Sequence, residues 1–403
     1  MPSDDELLTI RIERPATGGG VGRAPDGRVS FVRNSLVNEL VRVQVTEATS
    51  KFYRGEAIEI LEPSPERVSP PCPYAHPFGC GGCELQHADA SAQNEWKSAL
   101  VAEHLRRIAG LEWDIDVVSG SLGEATRTRL RCGVDEQSRL CLRKARSNDL
   151  VPIESCWVAQ RAFDEAFSHP WPGVQEVELR AIGDGEPFAV TRSGRDAYAS
   201  VEVRSLAGAP LDPSTHSRVG VAAHVFRVGP RSFWQSHRDA PTTLSEAVME
   251  LVRLESGDDA VDLYSGVGLF SVPLARRVGD HGRVTAVESS PYAVRDAREN
   301  ATGLRQVKVR EWSVTPRSVN DTVRENSVVV LDPPRQGLAR GVVDALAARR
   351  PRQVVYVSCD AATFARDLKN FLGHGFVLSD LRVFDLFPMT EHVEIVANLD
   401  SPT

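Results

Sequence analysis

The chain has 403 residues, of which 41% are hydrophobic and 25% are charged, and its formal net charge is -8. This composition is typical of a globular protein with two or three domains, and it excludes a uniformly basic nucleic-acid binder. No apolar run is long enough to cross a bilayer, and residues 1–6 are acidic where a signal peptide would be basic. We therefore expect a cytoplasmic protein that does not enter a membrane.

Residues from about 8 to 62 form short segments in which apolar and polar residues alternate, with glycines between the segments. One such segment, Arg28 to Val32, follows the turn pair Asp26-Gly27. The pattern predicts a small closed β barrel, which a proline-rich linker follows. Small barrels often bind oligonucleotides, but a structural or protein-binding barrel would show the same pattern.

The chain contains seven cysteines, an odd number that argues against a disulfide framework. Cys72, Cys80 and Cys83 lie in a short stretch whose glycines allow the backbone to fold tightly around a centre. This spacing indicates a metal site, and Cys156 is the best candidate for a fourth ligand because it lies in an apolar context. Zinc and an iron-sulfur cluster both accept four thiolates, so the pattern leaves the metal open.

Two further features fall within the central part of the chain, at residues 64–224, where short strands predict an α+β domain. Apolar residues recur at helical spacing from Ala90 to about Ile108, which predicts a packing helix. A basic stretch follows, and it is either a local RNA-binding patch or a solvated face. Its cations are Arg127, Arg129, Arg131, Arg139, Arg143, Lys144 and Arg146.

From about residue 225 onwards, buried strands alternate with helices, which predicts a doubly wound, mostly parallel sheet of the α/β class. A strand at residues 260–264 leads into a loop with Gly266 and Gly268, and the next strand ends at Glu288. The glycines allow a ligand to approach the backbone, and the carboxylate is placed to accept hydrogen bonds from ribose hydroxyls. Ser271 stands where a nicotinamide-binding loop has its third glycine, so the loop favours S-adenosylmethionine over a nicotinamide cofactor.

Another buried strand, Val354 to Ser358, ends directly before Cys359, and Asp360 follows as the N-cap of a helix. The partial positive charge of this helix N-terminus would lower the pKa of the thiol and make it reactive. Taken alone, the pattern favours a buried structural cysteine. The motif Asp332-Pro333-Pro334-Arg335 adds a seat for a planar ring, and together with the cysteine it indicates methylation at carbon.

Carbon 5 of uracil is a poor nucleophile, and an enzyme activates it by adding a thiolate at carbon 6. After methyl transfer, a base must remove the proton at carbon 5 before the thiolate can leave. The C-terminal segment offers Glu391, His392 and Glu394 as candidates. Glu394 precedes the apolar run Ile395-Val396-Ala397, where burial would raise the pKa of a carboxyl group toward a useful value.

In their order and spacing, these motifs resemble the RNA uracil-C5 methyltransferases that make 5-methyluridine, and specifically the branch with a TRAM domain and an iron-sulfur cluster. The chain departs from the family pattern at Asp360-Ala361, at Phe233-Trp234-Gln235-Ser236-His237, and at Ser265 and Leu269, which leaves the role of His237 open. The resemblance covers nearly the whole chain. Its motifs are C-x7-C-G-G-C-x2-Q-H, F-W-Q-S-H, D-L-Y-S-G-V-G, D-P-P-R-x-G-L, V-S-C-D-A-A-T-F-A-R-D and F-P-M-T-E-H-V-E.

The resemblance implies three domains: an OB-like TRAM barrel at 1–63, a central iron-sulfur and RNA-binding domain at 64–224, and a Rossmann-like class I methyltransferase domain at 225–403. It also implies that the helix at about 91–109 packs on the catalytic domain. The implied nucleophile is Cys359 and the implied base is Glu394. The implied ligands are Gln235, Tyr264, Glu288 and Asp332 for S-adenosylmethionine, and Cys72, Cys80, Cys83 and Cys156 for a [4Fe-4S] cluster.

The resulting hypothesis is a monomeric enzyme that methylates C5 of a uridine in structured RNA through a covalent adduct of Cys359 at carbon 6. We favour 23S rRNA over tRNA as the substrate, with the target base flipped out of a loop. The alternative is an inactive, RNA-binding iron-sulfur protein that senses redox state. The presence of both Cys359 and Glu394 argues against this alternative.

Overall fold

The computed structural model describes residues 7–120, 123–194 and 200–402. Residues 1–6, whose acidic character underlies the prediction about a signal peptide, lie outside these ranges. Within them, every helix falls short of the length and apolar character that a membrane span requires.

Five strands close into a barrel at the N-terminus, as the alternating pattern predicts. They are β1 (Leu7–Ala16), β2 (Gly19–Arg23), β3 (Val29–Arg33), β4 (Leu40–Ala48) and β5 (Phe52–Glu62). Their spatial order is β1-β2-β3-β5-β4, and buried side chains such as Ile10, Ile12 and Val32 fill the interior. Gly22 has to be a glycine, because an added Cβ would lie 2.1 Å from the carbonyl oxygen of Arg11.

A helix and a short strand follow the linker. Helix α1 (Ala90–His104) begins at Asp89, whose carboxylate accepts the backbone N–H of Ala92 at 2.9 Å. A turn of π-helix (Leu105–Ala109) continues α1, and strand β6 (Val117–Ser119) comes next.

The central part of the chain forms a six-stranded antiparallel sheet. Its strands are β7 (Arg129–Val134), β8 (Leu140–Arg143), β9 (Leu150–Pro152), β10 (Glu176–Arg180), β11 (Phe188–Ser193) and β12 (Ser200–Ser205). The spatial order is β12-β11-β10-β7-β8-β9. A 3-10 turn (Arg161–Phe163) and helix α2 (Asp164–Phe167) cover the sheet, and Phe163 and Trp171 are buried in its core. A hairpin of β13 (Ser217–Val221) and β14 (His224–Val228) follows.

The C-terminal part forms an eight-stranded sheet between helices, which confirms the predicted doubly wound, mostly parallel architecture. Its elements are α3 (Ala240–Leu251), β15 (Asp259–Leu263), α4 (Ser271–Val278), β16 (Arg283–Glu288), α5 (Pro291–Asn300), β17 (Val307–Glu311), α6 (Pro316–Thr322), β18 (Val328–Leu331), α7 (Val342–Arg349), β19 (Gln353–Ser358), α8 (Ala361–Gly373), β20 (Val377–Asp385) and β21 (Glu394–Asp400). The spatial order is β17-β16-β15-β18-β19-β21-β20-β6, and β21 runs antiparallel to both of its neighbours.

Helix α1 packs on this C-terminal part although it comes early in the chain. Val101 and Leu105 share one hydrophobic core with Phe364 and Phe371 of α8. Strand β6 pairs in parallel with β20 and so becomes the edge strand of the large sheet. The early segment therefore closes one side of the C-terminal sheet.

The order of the strands reverses between β15 and β18. After β15 the chain builds outward through β16 to β17, and it then returns to place β18 on the other side of β15. In open α/β sheets, ligands bind in the crevice that such a reversal leaves at the carboxyl ends of the strands. The fold thus indicates where a functional site should be sought.

Candidate active site

Four of the residues predicted to act in the site lie at this one edge of the sheet. Tyr264 follows β15, Glu288 is the last residue of β16, Asp332 follows β18 and Cys359 follows β19. The carboxyl ends of these parallel strands meet at the same edge, so strand geometry alone brings the four side chains into one region.

One cavity, of about 290 Å³, lies at the carboxyl ends of β15 and β16 and has both Tyr264 and Glu288 in its wall. The Glu288 carboxylate accepts the backbone N–H groups of Gly266 at 3.0 Å and Ser290 at 2.7 Å. Trp312, which directly follows β17, also lines the cavity and is partly exposed. Trp312 was not predicted as a site residue from the sequence, where its only signal is an aromatic residue just beyond the end of a strand.

Gln235 reaches Asp332 from the loop between β14 and α3. Its side-chain amide donates a hydrogen bond of 3.3 Å to the Asp332 carboxylate. Burial raises the pKa of Asp332 to about 7, and the Gln235 hydrogen bond opposes this rise. His237, in the same loop, is fully buried, and burial lowers its pKa to about 4, so its imidazole is neutral near pH 7.

Cys359 lies between β19 and α8, where Asp360 caps the helix by accepting the backbone N–H of Thr363 at 2.8 Å. Burial raises the pKa of the Cys359 thiol to about 12, and the charges of Glu394 and Asp332 raise it further than Arg335 lowers it. The pKa of this thiol in the free protein is therefore raised, and not lowered as expected, because desolvation and two acidic neighbours dominate it.

Glu394 begins β21, whose next residue, Ile395, pairs with Ser358 of β19. This pairing brings Glu394 beside the end of the strand that precedes Cys359. Glu394 is buried, and burial together with the charge of Asp332 raises its pKa well above the usual value. The carboxyl group therefore ionises less readily than that of an exposed glutamate.

The other two acid-base candidates differ from Glu394. The Glu391 carboxylate accepts the backbone N–H of Gly18, in the barrel, at 2.6 Å. Burial lowers the pKa of His392 to about 4, with Arg335 acting in the same direction, so this ring is neutral near pH 7. Of the three, Glu394 is the one whose charge influences the thiol of Cys359.

The four cysteines predicted to bind a metal line a single cavity of about 410 Å³, in which Arg127 also takes part. Burial raises the pKa of Cys83 to about 12 and those of Cys80 and Cys156 to about 11. The Arg127 cation opposes the rise at each of these three thiols. Across the described ranges, no group of three or more His, Cys, Asp or Glu side chains has a geometry that would hold a single metal ion. The four cysteines, Cys72, Cys80, Cys83 and Cys156, are nevertheless brought together from two distant segments.

Six of the seven cations of the basic stretch, all except Arg139, line the thiol cavity. Arg139 pairs with Asp135 at 2.9 Å. Arg129 and Arg131 both contact the carboxylate of Glu178, at 2.7 and 3.1 Å. Much of its positive charge is therefore compensated by acidic neighbours.

Comparison with known proteins places these features in a family. A model of the family described as tRNA (Uracil-5-)-methyltransferase matches residues 308–401, and a TRAM domain model matches residues 6–58. The 23S rRNA (uracil(1939)-C(5))-methyltransferase RlmD of Acinetobacter baylyi is 33% identical over 92% of this chain and 89% of its own length. The chain belongs to the RNA uracil-C5 methyltransferase family. The first family model spans Asp332, Cys359 and Glu394, and the TRAM model covers most of the barrel.

Two further proteins are similar to this methyltransferase over nearly its whole length. An uncharacterised RNA methyltransferase of Streptomyces coelicolor is 40% identical over 96% of this chain and 91% of its own length. The crystal structure of the Pyrococcus abyssi tRNA (uracil-54, C5)-methyltransferase in complex with S-adenosyl-L-homocysteine has a TM-score of 0.71 and 24% identity. It covers 97% of this chain and 100% of its own, so the two proteins share their fold over the full length.

Proposed function

We propose that this protein transfers a methyl group from S-adenosylmethionine to C5 of a uridine in structured RNA, acting as a monomer in the cytoplasm. The observation that carries the proposal is that Asp332, Cys359 and Glu394 lie at one edge of the sheet, where the charges of Asp332 and Glu394 raise the pKa of Cys359. We favour 23S rRNA over tRNA, because the RlmD protein of Acinetobacter baylyi, which is 33% identical to this chain, is named for 23S rRNA.

The cavity beside Glu288 suits the adenosine part of the donor. Its carboxylate, fixed by Gly266 and Ser290, can accept hydrogen bonds from ribose hydroxyls, and Tyr264 and Trp312 offer ring surface to the adenine. When bound, the donor supplies the methyl group and a positively charged sulfonium. Asp332 would lie near that positive charge, which would favour its ionised form.

The first covalent step is the addition of the Cys359 sulfur to carbon 6 of the uracil ring. The new C–S bond forms as the electron pair of the C5=C6 bond moves toward the C4 carbonyl oxygen, which gives C5 the character of an enolate carbon. This step needs a thiolate, whereas the pKa of Cys359 is about 12 in the free protein. We therefore propose that the Cys359 thiol releases its proton to solvent and becomes a thiolate only after the ligands have offset the charges of Asp332 and Glu394.

The last step is the removal of the proton from C5 after that carbon has received the methyl group. The Glu394 carboxylate takes the proton, the C5=C6 bond re-forms, and the Cys359 sulfur leaves as a thiolate. A carboxylate with a raised pKa is a stronger base once it is ionised, so the burial of Glu394 suits this role.

We also propose a [4Fe-4S] cluster at Cys72, Cys80, Cys83 and Cys156. The four thiols lie in the wall of one cavity of about 410 Å³, which leaves room for a group larger than a single zinc ion and so favours the cluster. Thiols with pKa values of about 11 and 12 are protonated without a metal, and metal binding would deprotonate them. The Arg127 cation would then offset part of the negative charge of the thiolates.

Release of tritium from RNA that carries 5-tritiated uridine tests the proposed reaction directly. We expect release that depends on S-adenosylmethionine, together with 5-methyluridine that mass spectrometry locates in an rRNA fragment. If the protein binds RNA but releases no tritium from either rRNA or tRNA, the alternative of an inactive, redox-sensing RNA-binding protein is favoured instead.

A further inference from the structure

A groove rich in arginine lies on the central sheet next to the start of helix α5. Its volume is about 250 Å³, and its wall contains five arginines and two glutamates, which leaves an excess of three positive charges. It also contains Tyr292, an exposed aromatic ring from the methyltransferase domain. The charged residues are Arg129, Arg131, Arg180, Arg192, Arg231, Glu176 and Glu178.

The two glutamates compensate only one part of the groove. Glu178 contacts Arg129, Arg131 and Arg180 at distances between 2.5 and 3.1 Å. Arg192, by contrast, is exposed and pairs with no carboxylate in the part of the chain that the structure describes. Arg231 there contacts only neutral groups, the Tyr292 hydroxyl at 2.9 Å and the Val201 carbonyl at 2.8 Å. The uncompensated charge is therefore concentrated at Arg192 and Arg231.

Tyr292 is held in a fixed position. Its hydroxyl accepts the hydrogen bond from Arg231, whose guanidinium also lies 5.3 Å from the ring centroid, and 48% of the residue remains exposed. An exposed ring that is already ordered loses little conformational freedom when a nucleobase stacks on it. A cationic groove with such a ring combines the two features by which proteins bind single-stranded RNA.

The groove is connected to the candidate active site. Arg180 donates a hydrogen bond of 2.7 Å to the carbonyl oxygen of Ser232, and the guanidinium of Arg129 lies 6.0 Å from the exposed ring of Phe233. Both contacted residues are close in sequence to Gln235, which hydrogen-bonds to Asp332. A single-stranded RNA bound in the groove would therefore pass next to the loop that forms one wall of the active site.

We propose that this arginine groove binds the single-stranded RNA segment that flanks the target uridine, with Arg192 contacting a phosphate and Tyr292 stacking on a base. The groove's role rests on the proposed function, because it supposes that the ligand of the active site is RNA. It differs from the predicted basic stretch, since Arg192, Arg231 and Tyr292 lie outside that stretch and no sequence pattern predicted that they would meet.

Binding of a fluorescein-labelled oligouridylate of about 12 nucleotides to the full chain, measured by anisotropy at several salt concentrations, tests the groove. Arg192→Gln should reduce the slope of log K against log salt by about 0.7, which corresponds to one lost phosphate contact. Arg317→Gln is the matched control, because Arg317 is an exposed arginine on α6 that does not line the groove. We expect the control to leave affinity and slope unchanged.

Two variants separate stacking from charge. Tyr292→Ala should weaken binding of the oligouridylate by about 5- to 100-fold, whereas Tyr292→Phe, which keeps the ring, should bind within about twofold of the original protein. Both variants should bind S-adenosylhomocysteine normally, since Tyr292 does not line the cavity at Glu288. This measurement also shows that the variants are folded.

The binding and tritium-release measurements can show separately whether the groove proposal or the proposed reaction fails. If the unmodified protein binds oligouridylate and releases tritium from RNA, but Arg192→Gln and Tyr292→Ala bind as it does, the groove proposal is overturned and the reaction stands. If binding depends on both residues but no RNA loses tritium, the groove stands and the proposed reaction fails. If the unmodified protein binds no RNA, both proposals fail.

Discussion

Lys97 and Asp385 form an ion pair inside the protein, although 288 positions separate them in the sequence. The Lys97 side chain is fully buried, and its ammonium also donates to the carbonyl oxygen of Phe387 at 3.1 Å. Asp385 in turn accepts the backbone N–H of Phe387 at 3.1 Å. A lysine of helix α1 therefore holds the start of the segment that leads to Glu394.

The rest of that segment is also held from the N-terminal half of the chain. The side-chain oxygen of Gln93 accepts the backbone N–H of Met389 at 2.7 Å, and the backbone N–H of Leu85 donates to the Met389 carbonyl at 2.9 Å. The Glu391 carboxylate contacts Gly18 of the barrel. The position of Glu394 thus depends on α1, the linker and the barrel together.

Replacing Lys97 should destabilise the protein. Lys97→Met should lower the free energy of unfolding by about 3 to 5 kcal/mol, because it leaves the Asp385 carboxylate buried without its partner. The double variant Lys97→Met with Asp385→Asn removes both charges and keeps the acceptor for Phe387, so it should recover most of this loss. Urea denaturation measures both, and a double variant less stable than the single one would contradict this account.

Replacing the proposed base should stall the reaction after methyl transfer. Glu394→Gln keeps the size of the side chain but cannot remove the C5 proton, so a covalent complex of enzyme and methylated RNA should accumulate. Denaturing gel electrophoresis with labelled RNA detects it. Glu391→Gln is the control, because it retains an oxygen that can accept the Gly18 N–H, and it should release product normally. Normal release by Glu394→Gln would assign the base to another residue.

Replacing the proposed nucleophile should abolish the reaction at its first step. Cys359→Ala should show no methyl transfer and no covalent trapping by RNA that contains 5-fluorouridine, because no thiol remains to add to carbon 6. Its dissociation constant for S-adenosylhomocysteine should stay within about twofold of the original value, since Tyr264, Glu288 and Trp312 are unchanged. Turnover that survives the substitution would exclude the covalent mechanism.

The pH dependence of stability should reflect Asp262. Its side chain is fully buried, and its carboxylate accepts a hydrogen bond from the Ser271 hydroxyl at 2.5 Å. Burial raises its pKa from an ordinary value of 3.8 to about 7. The folded state therefore binds this proton more tightly than the unfolded state does, and its contribution to stability is present below about pH 4 and is lost as pH rises to 7.

Asp262→Asn removes that titration. Between about pH 4 and pH 7, the free energy of unfolding of the ligand-free variant should fall less steeply with pH than that of the original protein. The change in slope should correspond to up to one proton that the folded state binds and the unfolded state does not. Denaturant unfolding at several pH values compares the slopes. Asp258→Asn replaces a partly exposed carboxylate near the same strand and serves as the control, and an equal change in both variants would argue against Asp262 as the source.

The cluster proposal predicts a colour. Protein purified without oxygen should absorb near about 400 nm and contain iron and sulfide, and Cys156→Ser should lose most of both signals. Cys141→Ala is the matched control, because Cys141 is a buried cysteine that does not line the thiol cavity. A colourless protein with one equivalent of zinc would overturn the cluster and keep the four-thiol site.

The features that depend on local pattern could be predicted from the sequence. Alternating residues identified the barrel, and strands that end in Tyr264, Glu288, Asp332 and Cys359 were sufficient to place four side chains at one sheet edge, because parallel strands share their carboxyl ends. The family motifs added the expected roles. The spacing of Cys72, Cys80 and Cys83 likewise predicted a metal site, and these three cysteines line one cavity with Cys156.

Which distant residues meet, and which electrostatic effect dominates the pKa of a site residue, became visible in the three-dimensional structure. The pairing of Lys97 with Asp385, the contact of Gly18 with Glu391 and the arginine groove at Tyr292 join segments whose separation in sequence carries no periodic signal. The pKa of Cys359 rises although a helix begins beside it, because burial and charges in space add up over neighbours that lie far apart in the chain.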